Sequence, residues 1–490
     1  MFQITILYTA DIHGQMTRLL RAALLARSLR EELAAVGHHV LLIDAGDVED
    51  RTLIESDLSK GIAPFRVLKA AGYDACVPGH STTLTYGPAV LQNIAQHSGL
   101  PVLCANLLAP PPESHPLPGT QNSLIVPYGP ARLGLFGLTA ELNRAYERYY
   151  HVSIPDAIAT ARVQVQALRD QGCTVIGLLS HLGYERDIQV AEAVPGLDFI
   201  IGGHSHTLLR SPAAVRGVPI CHAGERGRFI GQLDLEINAR GSVVQWYGQL
   251  HRVPDSGPFH PEAQQVWDSV QRETQRALDI PVGYLNEAVD LAPDRACGMG
   301  QLLADALRVR LRADVAFCVS GHLQAGLPQG PVRLRDLVRA CRSPASAAVT
   351  QLTGAQIIRA LEHGANPAVW RNSPRSMRGL NVGILQVSGL TYQYDPSGRP
   401  GYYTSNVRVL DKPIELDAVY RVAATDYELI PQRRYVPDLD ISSLALDIPR
   451  TVRDVLHDHL ATFNPLTPGL RSRIIVTASA GVRDDSPPAG

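Results

Sequence analysis

Ile4-Thr5-Ile6-Leu7-Tyr8-Thr9-Ala10-Asp11-Ile12-His13-Gly14 runs from a short apolar stretch straight into an acid and an imidazole. Ile4–Thr9 reads as a buried strand. Asp11 and His13 follow it at i, i+2, a spacing that in extended chain aims both side chains the same way. The arrangement recurs down the chain. His39–Ala45 is a second buried strand leading into Asp44-Ala45-Gly46-Asp47, and Leu19–Leu33 between the two carries apolar residues at helical spacing. Beyond it come Tyr73–Val77 (strand), Pro88–Gln96 (helix), Val102–Ala105 and Arg132–Leu138 (strands), Pro155–Arg169 (helix), then Thr174–Ser180 and Asp198–Ile201 (strands). Such alternation predicts an α/β domain in which helices cover a sheet.

The acids and histidines fall just past these strands. His80 follows the third (Val77-Pro78-Gly79-His80), His181 another (Leu179-Ser180-His181), and His204 and His206 a further one (Ile201-Gly202-Gly203-His204-Ser205-His206). In open α/β sheets, ligands bind outside the carboxyl ends of strands, so Asp11, His13, Asp47, His80, His181, His204 and His206 are expected on one edge. Imidazoles and carboxylates without a thiolate suit Mn²⁺, Zn²⁺ or Fe better than Ca²⁺. A carboxylate such as Asp47 can bridge two ions about 3.5–4 Å apart. One Asp-x-His or Gly-Asp is ordinary loop chemistry, whereas five such pieces in this order are what a binuclear centre requires. The remaining histidines, His38, His39 and His115 among them, are read as surface or core.

The 490 residues suggest more than one domain. Basic and acidic side chains nearly cancel (45 against 47), which argues against a nucleic-acid polymer or a charged membrane surface as partner. No apolar run approaches the roughly 18–20 residues of a spanning helix. The N-terminus reads as a strand from its first residues. A cytoplasmic location is expected, or a periplasmic or secreted one if a signal peptide has been removed. Seven scattered cysteines with no CxxC fit reduced thiols and not a thiolate zinc site. A polar, proline-containing stretch and a solvated helix at 256–280 divide a first domain, 1–255, from a second, 281–477. Residues 478–490 read as a disordered tail. Composition leaves the oligomeric state open.

Asp-x-His, Gly-Asp, the Gly79-His80 pair after Gly72-Tyr73-Asp74-Ala75, Ser180-His181-x-Gly183 and Gly203-His204-x-His206 together resemble the calcineurin-like metallophosphoesterases, specifically the two-domain 5′-nucleotidase family. The likeness runs from about residue 3 to 475. It implies a four-layer α/β/β/α catalytic domain, a linking helix, and a smaller α/β substrate-binding domain. It also implies two divalent metal ions, one held by Asp11, His13, Asp47 and His206, the other by Asp47, His181 and His204. The chain departs from the family at Gly-Asn-His-Glu, where the Asn is the remaining ligand and the His stabilises the transition state. Counted from Tyr73-Asp74-Ala75, His80 falls on the ligand Asn and Ser81 on the catalytic His, with Leu84 where an Asp orients that His. The other register keeps His80 as the catalytic His and leaves Gly79 where a ligand is needed. Gly79-His80 and Thr85-Tyr86-Gly87 also resemble the family's sulfate thiohydrolase branch.

In the second half, Gly300-Gln301-Leu302-Leu303-Ala304-Asp305-Ala306-Leu307-Arg308, Ala313–Phe317, Leu352-Thr353-Gly354 and Val387-Ser388-Gly389-Leu390 resemble the family's C-terminal domain. Its nucleoside pocket is altered. The segments at those places are Val319-Ser320-Gly321-His322-Leu323-Gln324, Arg342-Ser343-Pro344-Ala345 and Pro431-Gln432-Arg433-Arg434-Tyr435. A base without its aromatic sandwich loses about 1–3 kcal/mol of stacking. His322, Gln324, Arg342, Arg433, Arg434 and Tyr435 either line a different polar pocket or are surface arginines and loop polars. The expected activity is metal-dependent hydrolysis of small phosphate esters, of 5′-nucleotidase or 2′,3′-cyclic nucleotide phosphodiesterase type. The alternatives are a sulfate thiohydrolase-like enzyme and a non-catalytic binding relative.

Overall fold

The computed structural model describes residues 2–129, 131–372, 383–468 and 473–477; the segment 478–490, read above as a tail, lies outside them. The chain divides into two compact units, Met1–Gln275 and Arg276–Gly490, and the helix Pro261–Leu278 spans the division.

In the first unit, β1 (Phe2–Thr9), β2 (His39–Asp44) and β3 (Ala75–Cys76) run parallel. β4 (Ser123–Tyr128) through β9 then build a second sheet. Its central strands β5 (Ala131–Thr139), β6 (Val175–His181), β7 (Phe199–Gly202) and β9 (Val218–His222) are parallel, with β4 and β8 (Ala213–Val215) antiparallel at its edges. β10 (Phe229–Ile237) and β11 (Val243–Arg252) return antiparallel to complete the first sheet, in the order β11-β10-β1-β2-β3.

Alternate side chains assign the layers. Ile4, Ile6 and Tyr8 share one core with Leu133, Leu135, Leu179, Phe199 and Leu233, so the two sheets face each other. Leu7 and Leu42, pointing the other way, pack with Met16, Leu19 and Ala23 of the helix Met16–Ala35. Phe136, Leu178 and Ile200 pack against the helices Ala157–Asp170 and Tyr184–Ala193. Period-2 alternation on both sheets thus yields the four layers α/β/β/α.

One expected strand is absent. Val102–Ala105 forms only isolated bridges, because successive residues bond to different neighbours: Leu103 N–H to Cys76 O, Cys104 N–H to Gln121 O, and Ala105 N–H to Gly137 O. A segment that passes from the first sheet to the second in this way has no single partner along which to extend a ladder.

The second unit is built on a five-stranded sheet. In spatial order its strands are Leu385–Ser388, Val315–Val319, Val419–Thr425, Ala347–Thr353 and Ala445–Leu446. Val315, Phe317 and Val319 face one core with Ile357 and Leu361 of the helix Gly354–Ala365. Ala316 and Cys318 face another with Leu303, Leu307 and Leu456 from the helices Gly298–Leu311 and Val452–Thr462. Among the described residues no helix is long and apolar enough to cross a membrane.

Candidate metal centre

Register brings the strand ends together. Thr9 pairs with Asp44 and Asp44 with Cys76 in one sheet, while Thr139 pairs with His181 and Ser180 with Gly202 in the other. The seven acids and imidazoles sit at or just past these ends, His181 as the last residue of β6 and His80 at the start of a short helix. The extended geometry expected for Asp11 and His13 is not what places them, since β1 stops at Thr9. Asp11 (φ 52°), His13 (46°), Asp47 (52°), His204 (73°) and His206 (54°) all lie in the left-handed region. Each such residue costs about 1–3 kcal/mol and persists only where its surroundings over-determine it. Here they do: Asp11 N–H donates to Gly46 O (2.9 Å), His13 N–H to Asp47 O (2.9 Å) and Gly14 N–H to Val48 O (3.0 Å).

The two sheets lock to one another at the same place. His181 Nδ1–H donates to Ala45 O (2.7 Å), and the His204 backbone N–H sits 3.1 and 3.0 Å from the two carboxylate oxygens of Asp11. Room for this exists because small residues line the contact. A Cβ on Gly79 would stand 1.8 Å from Asp47 Oδ1, and one on Gly203 would stand 2.6 Å from Ala45 O.

Three groups of donor atoms result, each within a 4.8 Å span: Asp11, His13 and His206; His80, His181 and His204; and Asp11, Asp47 and His181. His13 Nε2 and His206 Nε2 lie 3.0 Å apart, with Asp11 Oδ1 at 3.9 and 3.8 Å. Asp47 Oδ2 lies 3.0 Å from His80 Nδ1 and 3.3 Å from His181 Nε2, off the directions of a hydrogen bond. It and His204 Nδ1 are buried polar atoms without a hydrogen-bond partner. Buried polar atoms left so are rare, and nitrogen and oxygen donors converging without a thiolate fit divalent cations of the manganese, zinc and iron type.

The electrostatics agree with that fit. Burial raises the Asp11 carboxyl, with the Asp47 charge adding to the rise and His181 opposing it. Burial works against ionised Asp47 too, but the imidazoles of His181 and His80 hold it well below the usual carboxylate range. His181 is disfavoured as a cation by burial, yet the carboxylate of Asp47 lifts it to about 9. His204 is lowered to about 4 by burial and by the charges of His181 and His80. A divalent cation held here would compete with protons for the same imidazole and carboxylate atoms.

Behind these groups lie residues that sequence reasoning missed. Asp44 accepts hydrogen bonds from Thr9 Oγ1 (2.7 Å) and Gly46 N–H (3.0 Å), and burial raises its carboxyl to about 7. Buried Asp187 ties Ser180 Oγ to His222 Nε2 (2.8 Å), joining the ends of β6 and β9. Glu225 places Oε2 3.1 Å from His206 Nδ1. Its position just after β9, another strand of the second sheet, was the available signal.

His80 stands among the imidazoles, its Nδ1 3.4 Å from His181 Nε2. Ser81 donates its backbone N–H to Asp47 Oδ1 (2.9 Å), while its hydroxyl is buried without a partner. Leu84 contributes its backbone oxygen to Tyr150.

Of the six candidates for substrate contact in the second unit, His322, Arg433 and Tyr435 gather around Tyr427 and Glu428, and Arg434 is exposed. His322 does not line an open pocket. It is fully buried, with Nε2 2.9 Å from Glu428 Oε1 and Nδ1 2.9 Å from Ser343 Oγ, because the Glu428 carboxylate needs a partner inside the core. Tyr435 is also buried, edge-on to His363 with ring centroids 4.9 Å apart. Gln324 is half-buried, Arg342 is exposed, and Arg433 is exposed with its guanidinium 4.5 Å over the ring of Tyr427.

Residues 281–433 match the family model described as 5′-nucleotidase, C-terminal domain. The chain is similar to the trifunctional nucleotide phosphoesterase protein YfkN of Bacillus subtilis (strain 168), 25% identical over 478 residues. That match covers 87% of this chain, and the chain spans 32% of the length of that relative. It is similar to the 5′-nucleotidase of Mus musculus, 24% identical, with 87% of this chain and 82% of the relative covered. In fold it is similar to a 5′-nucleotidase precursor from Thermus thermophilus, with TM-score 0.54, 24% identity, and 98% of this chain and 100% of that chain covered.

Proposed function

We propose that the chain, which belongs to the two-domain 5′-nucleotidase family of metallophosphoesterases, hydrolyses small phosphate esters at a centre for two divalent ions. The observation that carries this reading is the pair of donor triplets, Asp11–His13–His206 and His80–His181–His204, linked through Asp47. The first triplet would hold one ion and the second the other, with Asp47 shared. Ions so held neutralise charge on a phosphoryl group and acidify water. The protein's part is orientation. Ala45 O turns His181 Nε2 toward Asp47, the backbone N–H of His204 holds the Asp11 carboxylate, and that of Ser81 holds Asp47. Chelation with EDTA is expected to abolish phosphate release from 5′-AMP, a 2′,3′-cyclic nucleotide or a nitrophenyl ester, and added Mn²⁺ to restore it. Undiminished release after complete metal removal would refute the centre. Protein that holds two ions yet releases phosphate from none of the three would favour a sulfur-adduct substrate, checked by sulfate release.

Nucleotides are the proposed substrates on the likeness to nucleotide phosphoesterases. His80 is assigned as a ligand, which leaves Ser81 where an imidazole acid would otherwise stand. An aliphatic hydroxyl is a far poorer proton donor than an imidazolium, and a positioned general acid is worth about 10²–10⁴ in rate. Across substituted phenyl phosphates of equal shape, turnover is therefore expected to fall steeply as the pKa of the departing phenol rises. A flat dependence would reveal a proton donor and overturn the assignment of Ser81.

A further inference from the structure

We infer that Glu225 is a positioning residue that fixes the ring of His206, and so sets the affinity of the ion held by Asp11, His13 and His206. The inference rests on the binuclear reading above. A metal-ligating imidazole has two nitrogens, and the partner of the one turned away from the metal fixes the ring's tautomer and direction. His181 has such a partner in the carbonyl of Ala45. For His206 that partner is Glu225, whose Oε2 lies 3.1 Å from Nδ1, while Nε2 points the other way, 3.0 Å from His13 Nε2 and 3.8 Å from Asp11 Oδ1.

The need is greater at His206 than at His181. His206 is 41% exposed and its backbone is in the left-handed region, whereas His181 is wholly buried and held by packing on every side. An exposed ring on a loop swings unless something ties its far nitrogen.

The turn that carries Glu225 is built to hold it there. Gly224, Arg226 and Gly227 have φ of 73°, 61° and 61°. Gly224 N–H donates to Thr207 O (2.9 Å), beside His206, and Arg226 N–H donates to Asp11 O (2.7 Å). One turn thus clamps the backbone next to two residues of the same donor triplet and presents a carboxylate to a third atom of it. Arg226 Nε is 3.5 Å from Glu225 Oε2, but the Arg226 side chain is 53% exposed, and ion pairs to an exposed guanidinium contribute little. The carboxylate's closer contact is the imidazole.

The test is binding of Mn²⁺ alone, by equilibrium dialysis and calorimetry, to the metal-free full-length protein and its variants. The wild type is expected to bind two ions. E225A is expected to bind one of them 10–100-fold more weakly and the other unchanged, the range seen when the outer partner of a ligand is removed. E225Q, which keeps an acceptor oxygen of the same reach beside Nδ1, is expected to recover most of that loss, and R226A to keep both affinities. With excess Mn²⁺ below saturation of the weakened site, kcat falls in E225A while KM for the ester stays near wild type. The melting temperature of chelated E225A should match that of the chelated wild type. E225A binding both ions like the wild type would overturn the inference while leaving the metal centre intact. So would equal losses in E225A and R226A, which would assign the effect to the turn. If E225A does not fold, unchanged affinity in E225D, whose shorter arm withdraws the carboxylate from His206, would overturn it. A wild-type protein that binds no Mn²⁺ refutes the binuclear reading and this inference with it.

Discussion

Asp47→Ala is expected to lower turnover of a phosphate ester by about 10³-fold or more, a loss of at least about 4 kcal/mol of transition-state stabilisation. Asp47 is wholly buried and belongs to both halves of the centre. It is grouped with Asp11 and His181, and its Oδ2 also lies within 3.0 Å of His80 Nδ1. Its removal leaves His80, His181 and His204 facing one another with Asp11, beside His181, as the remaining carboxylate of the nest. His181 then loses the charge that raises it to about 9, so burial returns it toward the neutral form. The protein should still fold, since the imidazoles can be buried uncharged, but the ligand proposed to be shared by the two ions would be gone. Asp47→Asn separates charge from packing: it keeps the side-chain volume and an acceptor for Ser81 N–H (2.9 Å), and should lose activity to a similar extent. Turnover and Mn²⁺ stoichiometry, measured beside circular dichroism, check this. Either variant turning over at the wild-type rate would exclude Asp47 from the reaction.

Gly79→Ala is expected to cost about 1–3 kcal/mol of stability and to lower turnover by about 100-fold, although Gly79 touches no substrate. The cause is space alone. The backbone at Gly79 (φ −83°, ψ 173°) is one that alanine adopts freely. The added Cβ, however, would stand 1.8 Å from Asp47 Oδ1, 2.4 Å from Asp47 N and 2.6 Å from Asp47 Cγ. Something must move, and the Asp47 loop is tied by His13 N–H to Asp47 O and by Gly14 N–H to Val48 O. The strain therefore falls on the placement of Asp47 and His80. Urea denaturation and kcat on a nitrophenyl ester measure the two effects. Wild-type values for both would show that the loops are looser than the structure depicts.

That helices cover a sheet was legible because apolar runs of strand length alternate with helical patterns, whereas the four layers were implied by the family resemblance alone. Ile6 and Leu7 enter different cores for no other reason than pleat. The seven acids and imidazoles were legible because they sit just past strand ends, where an α/β sheet gathers its ligands. Val102–Ala105 was misread because β-propensity reports a half-buried extended segment, not whether its hydrogen bonds go to one neighbour or to three. His322 was misread because its partner, Glu428, is 106 residues away. Nothing local distinguishes a buried hydrogen-bonded pair from a pocket lining.

Sequence by itself determined the alternation of strands and covering helices, the edge at which the chemistry gathers, and the donor types available to a cation, all of which follow from residue periodicity and side-chain chemistry. Only the tertiary structure decided which donors meet. Five of the seven reach the centre through left-handed backbone held by loop-to-loop hydrogen bonds. His80 joins the imidazole triplet because Gly79 leaves space against Asp47, and Glu225 reaches His206 through a turn bonded to two other loops. These are contacts between residues far apart in the chain, and their distances are fixed by the packing of two sheets.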